Sequence, residues 1–372
     1  MKMNTAMDLA SILRTAVESR ASDVHLTAGK PPLMRLAGEI AEVPGFPHLS
    51  QADCQKLIYS ILFDEQRAVF EQKLELDRSF DVPGLARFRV NVLQQRGVVE
   101  AVFRVIPTEI PTPELLGLGP TTMALADLPR GLILVTGPTG SGKSTTLACM
   151  VDYINLYYTK HIITIEDPIE YVHASRRCII RQREVGTDTR SFQEALRHAL
   201  RQDPNVILVG EMRDLETISL VLTAAETGHL VFSTLHTGDT VQTVDRIIDV
   251  FPAAQQQQVR IQLADTLKGV LAQILLRRKD GRGLIAAREL LLATPAVSTL
   301  IREGKTHLIP NVIDTNGKMG MFALDKSLQE LAARGLVDTT EALAKAHDPR
   351  RITGSSRPAG DVLPAEPQAV LS

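Results

Sequence analysis

The stretch GPTGSGKST at 137–145 satisfies the spacing G-x-x-x-x-G-K-[ST], a pattern whose chemistry is the holding of phosphate. The loop residues Gly137, Pro138, Thr139, Gly140, Ser141 and Gly142 can wrap closely around an anion, with successive N–H groups and a helix N-terminus aimed at it. Lys143 is then placed to reach the β- and γ-phosphates of a nucleoside triphosphate, Ser144 to hold Mg²⁺ through its hydroxyl, and Thr145 closes the motif. Such a loop needs a carboxylate on a neighbouring strand. NVILVGE ends in Glu211, which suits polarisation of water or completion of the magnesium shell. HIITIED offers Glu166 and Asp167; adjacent side chains of a strand face opposite ways, so Glu166 is read as the one facing nucleotide and Asp167 as holding the loop.

A third constellation is GHLVFSTLHT, where His229 and His236 flank an apolar run. Zinc is disfavoured, because a pair seven apart on a strand lacks the i, i+4 helical spacing or a nearby Cys/Asp set. His236 ends its strand on the edge where Glu211 and Glu166 end theirs, which places it to sense γ-phosphate. His229 begins the strand, where a satisfied core histidine is the competing reading.

These residues need elements to position them. GLILVTG, HIITIED, NVILVGE and LVFSTLH are short apolar runs that alternate with helical stretches from Lys143, near 191–201, and over 215–227. That alternation indicates a parallel sheet covered on both faces, an α/β design. The first third is of another kind: helical spacing over 7–20, a strand-like VHLT, a second helical stretch over 51–72, and hairpin alternation around Gly84 and Gly97, together an α+β domain. Prolines at 107, 111, 113 and 120 mark a stiff linker without regular structure. From residue 252 onward the reading is mostly helical, and the tail is read as disordered. The expected division is therefore 1–106, a linker at 107–121, 122–352, and a tail at 353–372.

Composition excludes several classes. The net charge is −2, there is no Trp and aromatics are 4%, which leaves neither field nor stacking platform for nucleic acid. Three scattered cysteines without a CxxC pair fit a reducing cytoplasm. No stretch approaches the roughly 18 apolar residues of a spanning helix, so membrane association is expected through a partner.

GPTGSGKST, TIEDPIEY, REVGTDTRSFQEALRHALRQDPNVILVGEMRD and TAAETGHLVFSTLHT together resemble the Walker A, acidic, Walker B and histidine boxes of the secretion ATPases that drive type II secretion and type IV pili. The likeness runs from SDVHLTAGKPPLMRLAGE through DRIIDVFP to LIREGKTHLIP and ALDKSLQEL, and within the family it leans to the retraction-type motors. The resemblance implies a homohexamer with a PAS-like N-terminal domain, a RecA-like ATPase domain, and ATP with Mg²⁺ between neighbouring chains. It implies pilus retraction and twitching motility at the inner-membrane pilus base, with a platform protein and a paralogous retraction ATPase as partners. It assigns Lys143 and Ser144 to phosphate and magnesium, Glu166 and Glu211 to the acidic carboxylates, and both His229 and His236 to function. It also implies arginines from the first domain, for which ARFRVN and VFRVIP offer Arg87, Arg89 and Arg104. The longer N-terminal region and cysteine zinc motif of the assembly-type members are missing. A type II secretion motor, an accessory retraction motor and a ring subunit that binds nucleotide without hydrolysing it remain the alternatives.

Overall fold

The computed structural model describes residues 8–36, 38–106 and 109–353, so most of the expected disordered tail lies outside the described residues. The chain divides into two compact units between residues 109 and 110, with residues 168–171 grouped with the first.

In the first unit, α1 (Leu9–Glu18) starts where the Asp8 side chain accepts from the Ser11 N–H, and it buries Ile12, Leu13 and Ala16. Strands β1 (Asp23–Leu26), β2 (Leu33–Leu36) and β3 (Glu39–Glu42) follow, then α2 (Gln51–Tyr59) and α3 (Asp64–Lys73). The single helical stretch expected over 51–72 is thus two helices. The second starts afresh where the Gln66 side chain accepts from the Phe63 N–H, a new N-terminal cap. Strands β4 (Glu75–Val82), β5 (Ala86–Gln95) and β6 (Val98–Ile106) complete an antiparallel sheet ordered β3-β2-β1-β6-β5-β4. The expected turns at Gly84 and Gly97 are there, with φ of +72° and +80°. Alternation along β5 buries Phe88, Val90 and Val92 and leaves Arg87 and Arg89 on the opposite face.

The second unit begins with α4 (Pro113–Leu116) and α5 (Pro120–Met123), a correction to the expected structureless linker. Each opens on a proline, which the first helical position accepts because its N–H is not needed there, and Thr112 caps α4 through the Leu115 N–H. The next elements are β7 (Gly131–Thr136), α6 (Lys143–Tyr157), β8 (His161–Glu166), β9 (Ile179–Glu184), α7 (Phe192–Ala199), β10 (Val206–Val209), α8 (Leu215–Glu226), β11 (Leu230–Leu235), α9 (Thr240–Asp249) and α10 (Ala253–Thr266). Then come β12 (Leu267–Arg277), β13 (Leu284–Leu292), α11 (Pro295–Arg302), α12 (Ile309–Thr315), α13 (Leu324–Ala333), α14 (Thr339–Lys345) and α15 (Arg350–Thr353). The sheet order is β13-β12-β7-β11-β10-β8-β9, parallel except for the β12/β13 pair. Successive residues of β7 point into two different cores: Leu132 and Leu134 into one, Ile133 and Val135 into the other. The sheet is therefore covered on both faces, as its uninterrupted apolar strands require.

The mostly helical reading after residue 252 is corrected by β12 and β13. LKGVLAQILLR consists largely of residues that favour a helix as readily as a strand, and pairing with β7 decides the matter. Among the described residues, no helix is long and apolar enough to cross a membrane.

Candidate functional site

Parallel pairing places Leu235 opposite Thr136 and Val209 opposite Ser233, so the chain leaves β7, β11 and β10 on one edge of the sheet. The phosphate loop follows β7, His236 follows β11, and Glu211 follows β10. The carboxyl ends of such strands are where α/β proteins hold ligands. Gly137 sits at φ +145°, and a Cβ built on it would strike the Gln273 carbonyl oxygen and the Ser141 hydroxyl, so only glycine fits. Gly142, at φ +82°, opens α6.

Lys143 is buried, and its Nζ donates to the carbonyls of Gly137 at 2.9 Å and Pro138 at 3.1 Å. The same atom lies 3.5 Å from His236 Nδ1, and His236 Nε2 lies 3.0 Å from Glu211 Oε1. Arg213 Nη2 closes the chain at 2.8 Å from Glu211 Oε2. Phosphate lysine, histidine and carboxylate thus form one hydrogen-bonded path. With Nε2–H donating to Glu211, Nδ1 is left as acceptor for the Lys143 ammonium, so a single tautomer satisfies both neighbours. Burial pushes the Glu211 carboxyl up, but bonds and charge from Arg213 and His236 outweigh it and hold the group below the usual carboxylate range. Arg213 was not singled out from sequence; its only signal is its place two residues after Glu211 in GEMRD.

The other predicted residues divide. Glu166 ends β8 on the same edge, and its Oε1 accepts from Thr164 at 2.6 Å and from Gln182 of β9 at 3.1 Å. Asp167 is exposed beside it. His229, which begins β11 as expected, lies at the opposite end of the strand from His236, about 23 Å away at strand rise over seven residues. Its Nδ1 lies 2.9 Å from the Ala224 carbonyl and its backbone N–H donates to the same oxygen, so it fastens the C-terminal end of α8. In the first unit, Arg87, Arg89 and Arg104 share one face of the sheet, with Arg89 directly opposite Arg104. Arg104 Nε lies 2.9 Å from Asp23 Oδ1 and Arg87 Nη1 3.0 Å from Asp81 Oδ2.

The residues present fit Mg²⁺ with a nucleotide. Ser144 presents a half-buried hydroxyl at the start of α6, Glu211 is held ionised nearby on the same edge, and the loop has a cradle that any side chain at 137 would fill.

A strand, a phosphate loop, a helix and a strand-end glutamate on a parallel sheet define a P-loop protein of the α/β class. The family model described as "Type II/IV secretion system protein" matches residues 3–330, and the chain belongs to that family. It is 52% identical over 343 residues to the type IV pilus retraction ATPase PilT of Pseudomonas aeruginosa, covering 92% of this chain and 99% of that protein. It is 42% identical over 340 residues to the type IV pilus ATPase PilU of the same organism, covering 91% and 89%. A crystal structure of the pilus retraction motor PilT with bound ADP superposes with a TM-score of 0.88 at 48% identity, covering 93% of this chain and 99% of that one.

Proposed function

We propose that this chain is a motor ATPase that hydrolyses Mg-ATP to retract type IV pili and so powers twitching motility. The observation that carries the reading is the path from Lys143 through His236 to Glu211, which ties the phosphate-binding lysine to the carboxylate that would act on water. Lys143 and the loop N–H groups bind the β- and γ-phosphates and stabilise the charge that grows on them. Glu211, ionised, orients or deprotonates the attacking water, and with Ser144 it holds Mg²⁺. When bound, Mg²⁺ neutralises charge shared by the β- and γ-phosphates. His236, between lysine and carboxylate, registers whether the γ-phosphate is present. Glu166, braced by Thr164 and Gln182, is assigned to the nucleotide edge as the second acidic residue.

The working unit is a homohexamer in which Arg87, Arg89 and Arg104 of one chain serve nucleotide held by a neighbour. The first unit acts as a PAS-like domain, a reading supported by its antiparallel six-stranded sheet and flanking helices. The motor works on the cytoplasmic side of the inner membrane against a platform protein, alongside a paralogous retraction ATPase. Higher identity to PilT than to PilU supports the primary motor over the accessory one. Deleting the gene and scoring surface pili tests the proposal: abundant pili that do not retract are expected, and bald cells would overturn it.

A further inference from the structure

Strand β12 pairs with β7 in parallel, and Ala272 stands opposite Thr136, the last residue before the phosphate loop. The next residue, Gln273, is therefore delivered against the loop itself. It is 1% exposed, in a strand otherwise rich in apolar side chains. Its Oε1 accepts from the Thr146 hydroxyl of α6 at 3.0 Å and lies 3.5 Å from Arg288 Nε. Arg288, directly opposite on β13, is itself buried, and its Nη1 donates to the Gly117 carbonyl at 3.3 Å. Two donors facing one end of the amide settle which end is oxygen. The Nε2 end must then donate, and it does so to the Ser141 carbonyl at 2.6 Å.

We infer that Gln273 is a positioning residue for nucleotide binding, which aims the Gly142 N–H at phosphate by holding the Ser141 carbonyl on the far side of the same peptide. The reason is planarity. In a trans peptide the carbonyl of one residue and the N–H of the next point in opposite directions, so a carbonyl fixed toward β12 turns the Gly142 N–H away from β12. Gly142 lies inside the loop and immediately before Lys143, so that N–H is one of the donors an anion there would meet. Gln273 also fixes the loop through its own backbone, since its carbonyl oxygen occupies the space that a side chain at Gly137 would need. Arg288 orients the amide from behind, through Gln273 Oε1.

The inference rests on the nucleotide-binding reading of the loop. Its test is Gln273→Glu, which keeps an acceptor for Thr146 and Arg288 and gains an ion-pair partner for Arg288, but removes the donor to Ser141. Binding of a fluorescent ATP analogue, displacement of that analogue by inorganic tripolyphosphate, and melting without nucleotide are compared with the wild-type chain. Affinity for both ATP and tripolyphosphate should fall about tenfold, which is about 1.4 kcal/mol, with the unliganded melting temperature essentially kept. Thr146→Val, which preserves shape and frees the amide to rotate, should lose affinity in the same sense but by less. Affinities within twofold of wild type for Gln273→Glu, or affinity and unliganded melting falling together in both variants, would overturn the positioning role. A wild-type chain that binds neither ligand would instead bring down the nucleotide-binding reading and this inference with it.

Discussion

Replacing Glu211 with Gln removes one charge at nearly constant shape, and its expected effects on fold and on chemistry differ in size. The Glu211 side chain is 19% exposed, but its partner Arg213 is 72% exposed, so solvent screens the pair. A pair of that kind is worth about 0 to 1 kcal/mol, and the amide oxygen can still accept from His236. For a unit of this size, 1 kcal/mol moves the melting temperature by about 2–4 °C, so the unliganded variant should melt within about 4 °C of wild type. A positioned general base contributes about 10²–10⁴-fold to rate, or about 3–5 kcal/mol of barrier. Steady-state phosphate release at saturating Mg-ATP should therefore fall at least a hundredfold. Equilibrium binding of ATP should stay the same or tighten, because a negative charge beside the phosphates has gone. Turnover within threefold of wild type would refute the role given to the carboxylate. A loss of affinity matching the loss of rate would assign Glu211 to ground-state binding instead.

Arg89 forms no ion pair among the described residues, whereas Arg104 holds Asp23, whose side chain is 9% exposed. Arg89→Ala should lower turnover far more than ATP affinity and leave melting unchanged; Arg104→Ala should do the same but also melt several degrees lower, and comparable losses of turnover and affinity would argue against charge stabilisation across a chain interface. His229→Ala removes the side-chain bond to the Ala224 carbonyl, so it should cost about 1 kcal/mol in urea denaturation while ATP binding is retained; loss of ATP binding by a folded variant would refute this and give the residue a direct part in holding nucleotide. Burial holds the His173 ring at about 4 rather than 6.5, against a weaker opposing pull from Asp152. As pH falls the unfolded chain takes up the proton first, so stability present above pH 6.5 is lost progressively toward pH 4, about 2 kcal/mol between pH 7 and pH 5 from this ring. Urea midpoints at those two pH values should converge in His173→Gln, and an unchanged pH slope in that variant would assign the acid sensitivity to other groups.

What was legible in the sequence follows from how local its causes are. The phosphate loop could be read because glycine spacing, the apolar strand before it and the helix after it lie within about thirty residues of chain. Glu211 and His236 could be placed because each comes just after a short, fully buried strand, and parallel strands bring their ends to one edge. The β12/β13 pair could not be read, since its residues fit a helix and only the exposed flank of β7 makes it sheet. Gln273 was missed for the same reason, being meaningful only once β12 is known to lie beside the loop. His229 could be placed at the start of β11 from sequence, but its bonds to the Ala224 carbonyl could not, since they depend on where α8 ends. The prolines at 113 and 120 read as breakers, yet each begins a helical turn, the position that makes no use of the missing N–H.

The two layers of side chains around the loop act on it differently. Lys143, His236, Glu211 and Arg213 are linked in series, so removing any member alters the partners of the next. Substitutions within that series should be strongly non-additive: once Glu211 is neutral, His236 has lost its anionic neighbour and little remains for a second change to remove. Gln273 and Arg288 approach from β12 and β13 and, with Thr146 of α6, act on the backbone of the loop. They govern how well phosphate is held before any chemistry begins. A Glu211→Gln, Gln273→Glu double variant should therefore combine a turnover defect from one change with an affinity defect from the other, each near its single-variant size. Strong coupling between the two would mean that the loop backbone also sets the position of the catalytic carboxylate, and the separation of binding from hydrolysis drawn from these contacts would fail.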